Sequence, residues 1–152
     1  MDDEESSTEE DQRRLECVIL LLEAGAPISM RDGNKQSVLH SAARAGHCRI
    51  LSHVMKVWKE EKGEPIDGRV PANHFFNWTD RWLRTPVHWA VLNGRVSALE
   101  VLLKSGASPS VQRPKVNIRS SAAVESPLEM ADRLYGHVSK GQDIVELLKK
   151  WA

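Results

Sequence analysis

The chain has 152 residues, 41% of them hydrophobic and 28% charged, with 21 basic and 21 acidic side chains. That length fits one domain, the composition is that of an ordinary globular chain, and the balanced charge argues against a protein that grips nucleic acid through bulk charge. No apolar run approaches the ~20 residues of a membrane span; the longest, Cys17 to Leu22, lies between Glu16 and Glu23.

The neutral total conceals a polarity. Residues 1 to 16 hold eight acids (Asp2, Asp3, Glu4, Glu5, Glu9, Glu10, Asp11, Glu16) and two bases (Arg13, Arg14), a net of −6, so the remainder carries +6. An acidic start is unlike a secretory or mitochondrial targeting segment. Residues 1–14 read as a solvated, partly disordered segment, or as an intramolecular mimic that covers a basic surface on the body. Ser7-Thr8-Glu9-Glu10 has the form of a capping box, which is consistent with a long helix from about Thr8 to Ala24. Two cysteines, Cys17 and Cys48, cannot staple a scaffold; they suggest a reducing compartment, cytosol or nucleus.

Further along, segments recur. Leu21-Leu22-Glu23-Ala24-Gly25-Ala26 returns as Leu102-Leu103-Lys104-Ser105-Gly106-Ala107. Ser37-Val38-Leu39-His40-Ser41-Ala42-Ala43 returns as Thr85-Pro86-Val87-His88-Trp89-Ala90-Val91, and in degenerate form as Ser126-Pro127-Leu128-Glu129-Met130-Ala131. Each is followed by a second apolar run, at residues 50–54, 98–103 and 144–148. Thr85 suits a helix N-cap and Pro86 the first helical position, where a missing N–H costs nothing. Val87, Ala90 and Val91 share one helical face. Asn93-Gly94 stops that helix, and a second runs from about Ser97 to Lys104. Helices this short need neighbours, and stacked helix pairs make a solenoid.

The stretch from Asp80 through Thr85-Pro86-Val87-His88, Gly94 and Leu102-Leu103-x-x-Gly106-Ala107 resembles an ankyrin repeat. Residues 32–57 are similar to a second repeat, 15–31 to the back half of an earlier one, and 121–152 to a divergent further unit. The resemblance implies an all-α, right-handed solenoid of about three helix–turn–helix repeats with β-turn fingers over residues 15–152, the unit at 80–112 being nearest the family pattern. Lys35 and Leu83 stand where the family has the turn glycine, so distorted turns are expected. His40 to His88 spans 48 residues against the repeat's ~33. Insertions are therefore expected at 58–79 and 112–125, with a third around 135–143. The apolar helix over 17–22 has one side for the next repeat; the other is covered by the acidic half folding back or by another molecule. Folding back is favoured, because an array needs a polar cap.

In the first insertion, Phe75, Phe76 and Trp78 either anchor the loop or form an exposed hydrophobic contact. The second, with Arg113, Lys115, Arg119 and Ser120-Ser121, reads as a basic loop open to phosphorylation. No Cys-x-x-Cys, Gly-x-Ser-x-Gly or Gly-rich phosphate loop is present, and His47 and Cys48, being adjacent on a helix, point ~100° apart. No cofactor, no metal and no enzymatic activity are expected. Cys17 and Trp89 are expected in the core. The resemblance gives His40 and His88 a structural role.

What remains is recognition. The family binds partners with turn tips and inner helices, which here implies Arg31, Asn34, Gln36, Arg44, Arg81, Trp82, Arg84, Leu92 and Asn93. A tryptophan among arginines has the composition of an interface hot spot, so the expected partner is a protein segment with acidic and apolar residues. A binder of nucleic acid or lipid head groups through the +6 body and residues 113–119, and a subunit autoinhibited by its acidic start, are the alternatives.

Overall fold

The computed structural model describes residues 2–63, 74–109, 126–139 and 141–151, with side chains of the first helix from Thr8 onward. Among these residues the chain is helical, with no strand. In chain order the helices are α1 (Asp2–Glu23), α2 (Val38–Ala45), α3 (Cys48–Lys62), α4 (Pro86–Leu92), α5 (Val96–Lys104), α6 (Pro127–Tyr135) and α7 (Gln142–Trp151). A 3-10 turn at Phe75–Asn77 precedes α4. No described helix is long and apolar enough to cross a membrane.

The helices pair as α2 with α3, α4 with α5 and α6 with α7, and the pairs stack. One layer is α2, α4 and α6, with α4 packed on both neighbours; the other is α1, α3, α5 and α7, with α1 against α3. Short helices of seven to nine residues stand because each contributes an apolar stripe to a common core. That core includes Leu39, Leu51, Val54, Val87, Leu99, Leu102, Leu103 and Leu148, each fully buried.

The starts of the inner helices share one device. Ser37 and Thr85 direct their backbone N–H to the Nδ1 of His40 and His88 at 3.1 and 3.0 Å, three residues on. At α6 the same place is taken by Glu129, which accepts the Ser126 N–H at 2.8 Å while Ser126 Oγ accepts the Glu129 N–H at 3.2 Å. A carboxylate thus closes the capping box that the imidazoles close elsewhere. Gly94 adopts φ +66° and Gly106 φ +105° where α4 and α5 end.

Two expectations are corrected here. The first insertion does not begin as a loop: α3 continues into it as far as Lys62, and Trp58 on its extra turn stacks on Phe75 with ring centroids 4.4 Å apart. Phe75 and Phe76 are fully buried, so they anchor the segment and offer no exposed contact. Trp78 meets Phe75 edge-on at 5.2 Å, and Asn77 Oδ1 accepts the Ser108 N–H at 2.9 Å, tying this turn to the end of α5. The rest of the first insertion, residues 64–73, lies outside the described residues, as do Arg113, Lys115, Arg119 and Ser120-Ser121.

The second concerns the N-terminus. The acidic segment is part of α1 and does not fold back over the apolar run. Nothing between Asp2 and Glu23 breaks a helix, and Arg13–Glu9 and Arg14–Glu10 pair at i, i+4 spacing. Leu15 and Val18 pack toward the core, whereas Leu20 and Leu21 stay 65% and 60% exposed. Cys17, expected inside, is exposed.

Because Phe75 is the pivot of the aromatic anchor, Phe75→Ala is expected to cost about 3–5 kcal/mol. Equilibrium urea unfolding followed by far-ultraviolet circular dichroism measures it, and a loss below about 1 kcal/mol would show the insertion to be peripheral.

Candidate functional site

Two turns precede α2 and α4, and they are built alike. In the first, Asp32 Oδ1 accepts the N–H of Asn34 at 2.8 Å and of Gln36 at 2.9 Å. In the second, Asp80 Oδ1 accepts the N–H of Trp82 at 2.9 Å and of Arg84 at 3.0 Å. Lys35 and Leu83 hold φ +59° and +61°. The turns are therefore not distorted by the missing glycines. Each side chain takes up the left-handed conformation instead, at about 1–2 kcal/mol. The N–H of Arg81 donates to the Asn34 carbonyl at 2.8 Å, linking finger to finger.

Asp80 is buried and works in three directions. While Oδ1 holds its own turn, Oδ2 accepts Gln36 Nε2 at 3.1 Å from the preceding unit and Trp89 Nε1 at 2.7 Å from α4. The carbonyl of Arg84, at the end of this turn, meets His40 Nε2 at 3.0 Å. Burial alone would push the Asp80 carboxyl up; the Arg84 N–H, the Gln36 amide, the Trp89 indole and nearby His40 outweigh it and hold the carboxyl below the usual range.

The indole of Trp89 is thereby fixed at the face of α4. It is not core, as its place in the repeat box suggested, but partly exposed, with Trp82 edge-on at 6.2 Å and 82°. The guanidinium of Arg84 lies over its ring at 5.1 Å and that of Arg44, from α2, at 5.6 Å. Trp82 itself is 46% exposed. The signal for Trp89 was in the other copy of the box: its counterpart there is Ser41, a polar residue, which is exposed.

Of the residues expected to bind, Arg44, Trp82 and Arg84 come together around Trp89. Arg81 is exposed at the finger tip and Asn34 beside it is half-buried. Gln36 is corrected: it is buried and its amide is committed to Asp80. Arg31 sits apart, its guanidinium 3.9 Å over the ring of Trp78. Leu92 packs against the core, and Asn93 Nδ2 donates to the Trp89 carbonyl at 3.0 Å, closing the end of α4. The arginines and tryptophans therefore form the surface, and Gln36, Leu92 and Asn93 support it.

A family model for ankyrin repeats in three copies matches residues 9–113. The chain belongs to the ankyrin repeat family. It is 29% identical over 158 aligned residues to the human palmitoyltransferase ZDHHC13, covering 91% of this chain and 23% of that protein. To human inversin it is 31% identical over 119 residues, 59% of this chain and 11% of inversin. A putative palmitoyltransferase ZDHHC13 of Danio rerio matches at 29% over 139 residues, 77% of this chain and 22% of its own length. This ankyrin repeat chain thus spans less than a quarter of these relatives.

Ionisation couples the site to stability. Burial pushes His40 down, against the pull of the Arg84 carbonyl and Asp80, and burial likewise lowers His74, aided by Lys59. Both imidazoles stay neutral in the fold where the unfolded chain already binds protons. Stability is therefore full above about pH 6.5 and falls as pH drops. Protonation of Asp80 removes more at still lower pH, since its folded-state affinity for protons is depressed. Thermal melts from pH 7.5 to 5 are expected to decline, with a shallower slope in His40→Gln. An unchanged slope would show that His40 takes up its proton as readily in the fold as outside it.

Proposed function

We propose that this chain is a non-catalytic protein-interaction module that docks a partner segment on the Trp82–Trp89 face, with Arg44 and Arg84 reading acidic residues and Trp82 receiving an apolar one. The supporting observation is the cluster itself: two guanidinium groups from successive units over one indole that a buried carboxylate holds. A guanidinium lying on a ring keeps in-plane N–H donors for a carboxylate, and its ordering is already done before the partner arrives. Trp82 offers a rigid apolar surface at low entropic cost. Ankyrin repeats are in general protein-interaction modules, so this use of the surface fits the family. Asn34 and Arg81 extend the same side along the finger tips, while Arg31 lies apart over Trp78. The acidic half of α1 fits self-inhibition less well, because Asp11 and Gln12 engage His47, at 3.8 Å, and Arg49, at 3.2 Å. The unpaired Cys17 and Cys48 suit a cytosolic or nuclear setting.

The test is an affinity capture from cell lysate with mass spectrometry, followed by titration of the recovered partner against Trp82→Ala and Arg84→Glu, each first shown by circular dichroism to be folded. Each change is expected to weaken binding by at least about tenfold, some 1.4 kcal/mol. Unchanged affinity in both variants would remove the site. Recovery of nucleic acid, with affinity falling steeply as salt rises, would favour an anion-binding surface instead.

A further inference from the structure

His74 opens the 3-10 turn of the aromatic anchor, and both of its ring nitrogens face donors. The backbone N–H of Phe76 points to Nδ1 at 3.2 Å and caps the turn, while the indole N–H of Trp58 points to Nε2 at 3.3 Å from α3. The ring also stands edge-on to Phe76, with centroids 4.6 Å apart. A neutral imidazole has one bare nitrogen to offer these two donors, and an imidazolium has none. Protonation therefore removes the last acceptor and sets N–H against N–H on both sides. The surrounding charges act in the same direction. From α3, Lys59 bears on the ring and Lys62 lies over Trp58 at 6.0 Å, whereas Glu60 is turned to Lys56 and Glu61 is exposed. From the segment before α2, Arg31 lies over Trp78. α4 brings His88, whose Nδ1 is taken by the Thr85 N–H, and the finger before it brings Asp80, whose oxygens are engaged in its own network. Among the described residues no carboxylate stands within ion-pair distance of His74 to offset a positive charge.

We infer that His74 is an acid-operated latch: neutral, it holds the 3-10 turn against Trp58, and protonated, it lets the turn come away from α3 while the stacked helix pairs stay folded. The turn can part locally because little of it belongs to the helices. Its own backbone bonds are two, from the Asn77 N–H to the His74 carbonyl at 2.8 Å and from the Trp78 N–H to the Phe75 carbonyl at 3.3 Å. Each unit of a solenoid touches only its neighbours, so one such segment opens without the rest. Burial of Phe75 and Phe76 keeps the latch closed in most molecules; acid changes how often it opens. What opening uncovers is apolar, the rings of Phe75 and Trp58. One proton is taken up in the open state that the closed state resists. The opening constant is therefore flat above about pH 6.5 and rises below it by up to about tenfold per pH unit, until the closed state binds the proton too. This local event leaves His40 in place, unlike the loss of global stability in acid.

The test is amide hydrogen exchange of the full chain, read residue by residue by NMR between pH 7.5 and 5 and expressed as protection factors, which remove the intrinsic pH dependence of exchange. The amides of Phe76, Asn77 and Trp78 report the latch, and that of Leu99, buried in α5, reports the array. In the wild type the turn amides are expected to be less protected than Leu99 at pH 7.5 and to lose protection by up to about tenfold per pH unit below about 6.5. His74→Asn keeps a side-chain oxygen that can cap the turn but does not titrate; its turn amides are expected to show no such fall. His40→Gln is expected to leave the fall at the turn intact, because the local opening does not involve that residue. Protection at the turn that stays level from pH 7.5 to 5 in the wild type would overturn the proposal, whatever the variants do. So would turn amides as protected as Leu99 at every pH, which would mean that the turn is released only when the whole array unfolds.

Discussion

Asp80 is the group through which the array is held in register. One carboxylate sets the conformation of its own turn through two backbone N–H groups, reaches back to Gln36 in the preceding unit and forward to Trp89 in α4. A buried carboxylate with four donors is stable as an ion, because the donors replace the water it gave up. The consequence spreads in both directions. The turn places the Arg84 carbonyl within reach of His40, which in turn caps α2, so the starts of two successive inner helices are locked by one network. Asp32 builds the same turn geometry but lacks a preceding finger to hold.

In a solenoid each unit touches only its neighbours, so stability is a sum of local interfaces and any irregularity must be absorbed where it occurs. This chain absorbs its first insertion by lengthening α3 by a turn and a half and sealing the return with Phe75, Phe76 and Trp78. Trp58 serves both parts: its ring stacks on Phe75 and its indole N–H meets His74 Nε2 at 3.3 Å. The last unit is absorbed differently. Tyr135 at the end of α6 donates its hydroxyl to the Val91 carbonyl at 2.8 Å, crossing to the end of α4. The first unit has no such compensation, and its apolar residues are left at the surface.

The fold was legible because the repeat carries its signals at fixed offsets: the turn acid, the Thr-Pro start and the Leu-Leu-x-x-Gly-Ala close. The helix starts at Pro86 and Pro127 follow from cap chemistry alone. Reach was what could not be read. Whether α3 stops at Val57 or continues depends on Trp58 finding Phe75, a tertiary contact with no local signature. Whether the acidic segment folds back depends on a turn that the helix-forming residues from Asp2 to Glu23 do not supply. The site was half legible. The family's tip and inner-helix positions pointed to Arg44, Trp82 and Arg84, but Trp89 was assigned inward because its place in the repeat box faces the neighbouring helices. Its Nε1 finds a carboxylate at the surface edge, and that polar partner decides its orientation.

The left-handed residues make sense in the same terms. A Lys at φ +59° and a Leu at φ +61° each cost about 1–2 kcal/mol that glycine would avoid. Glycine would also free the turn in the unfolded and partly open states. A side chain there, with the flanking carboxylate bridging two N–H groups, leaves Trp82 and Arg84 on either side of Leu83 in one arrangement. Recognition by a surface of long side chains is limited chiefly by the entropy of ordering them. Here Arg44 and Arg84 rest on an indole, the indole hangs from Asp80, and Asp80 is part of the core. The strain at Leu83 therefore sits where it contributes to a surface that is ordered before it binds.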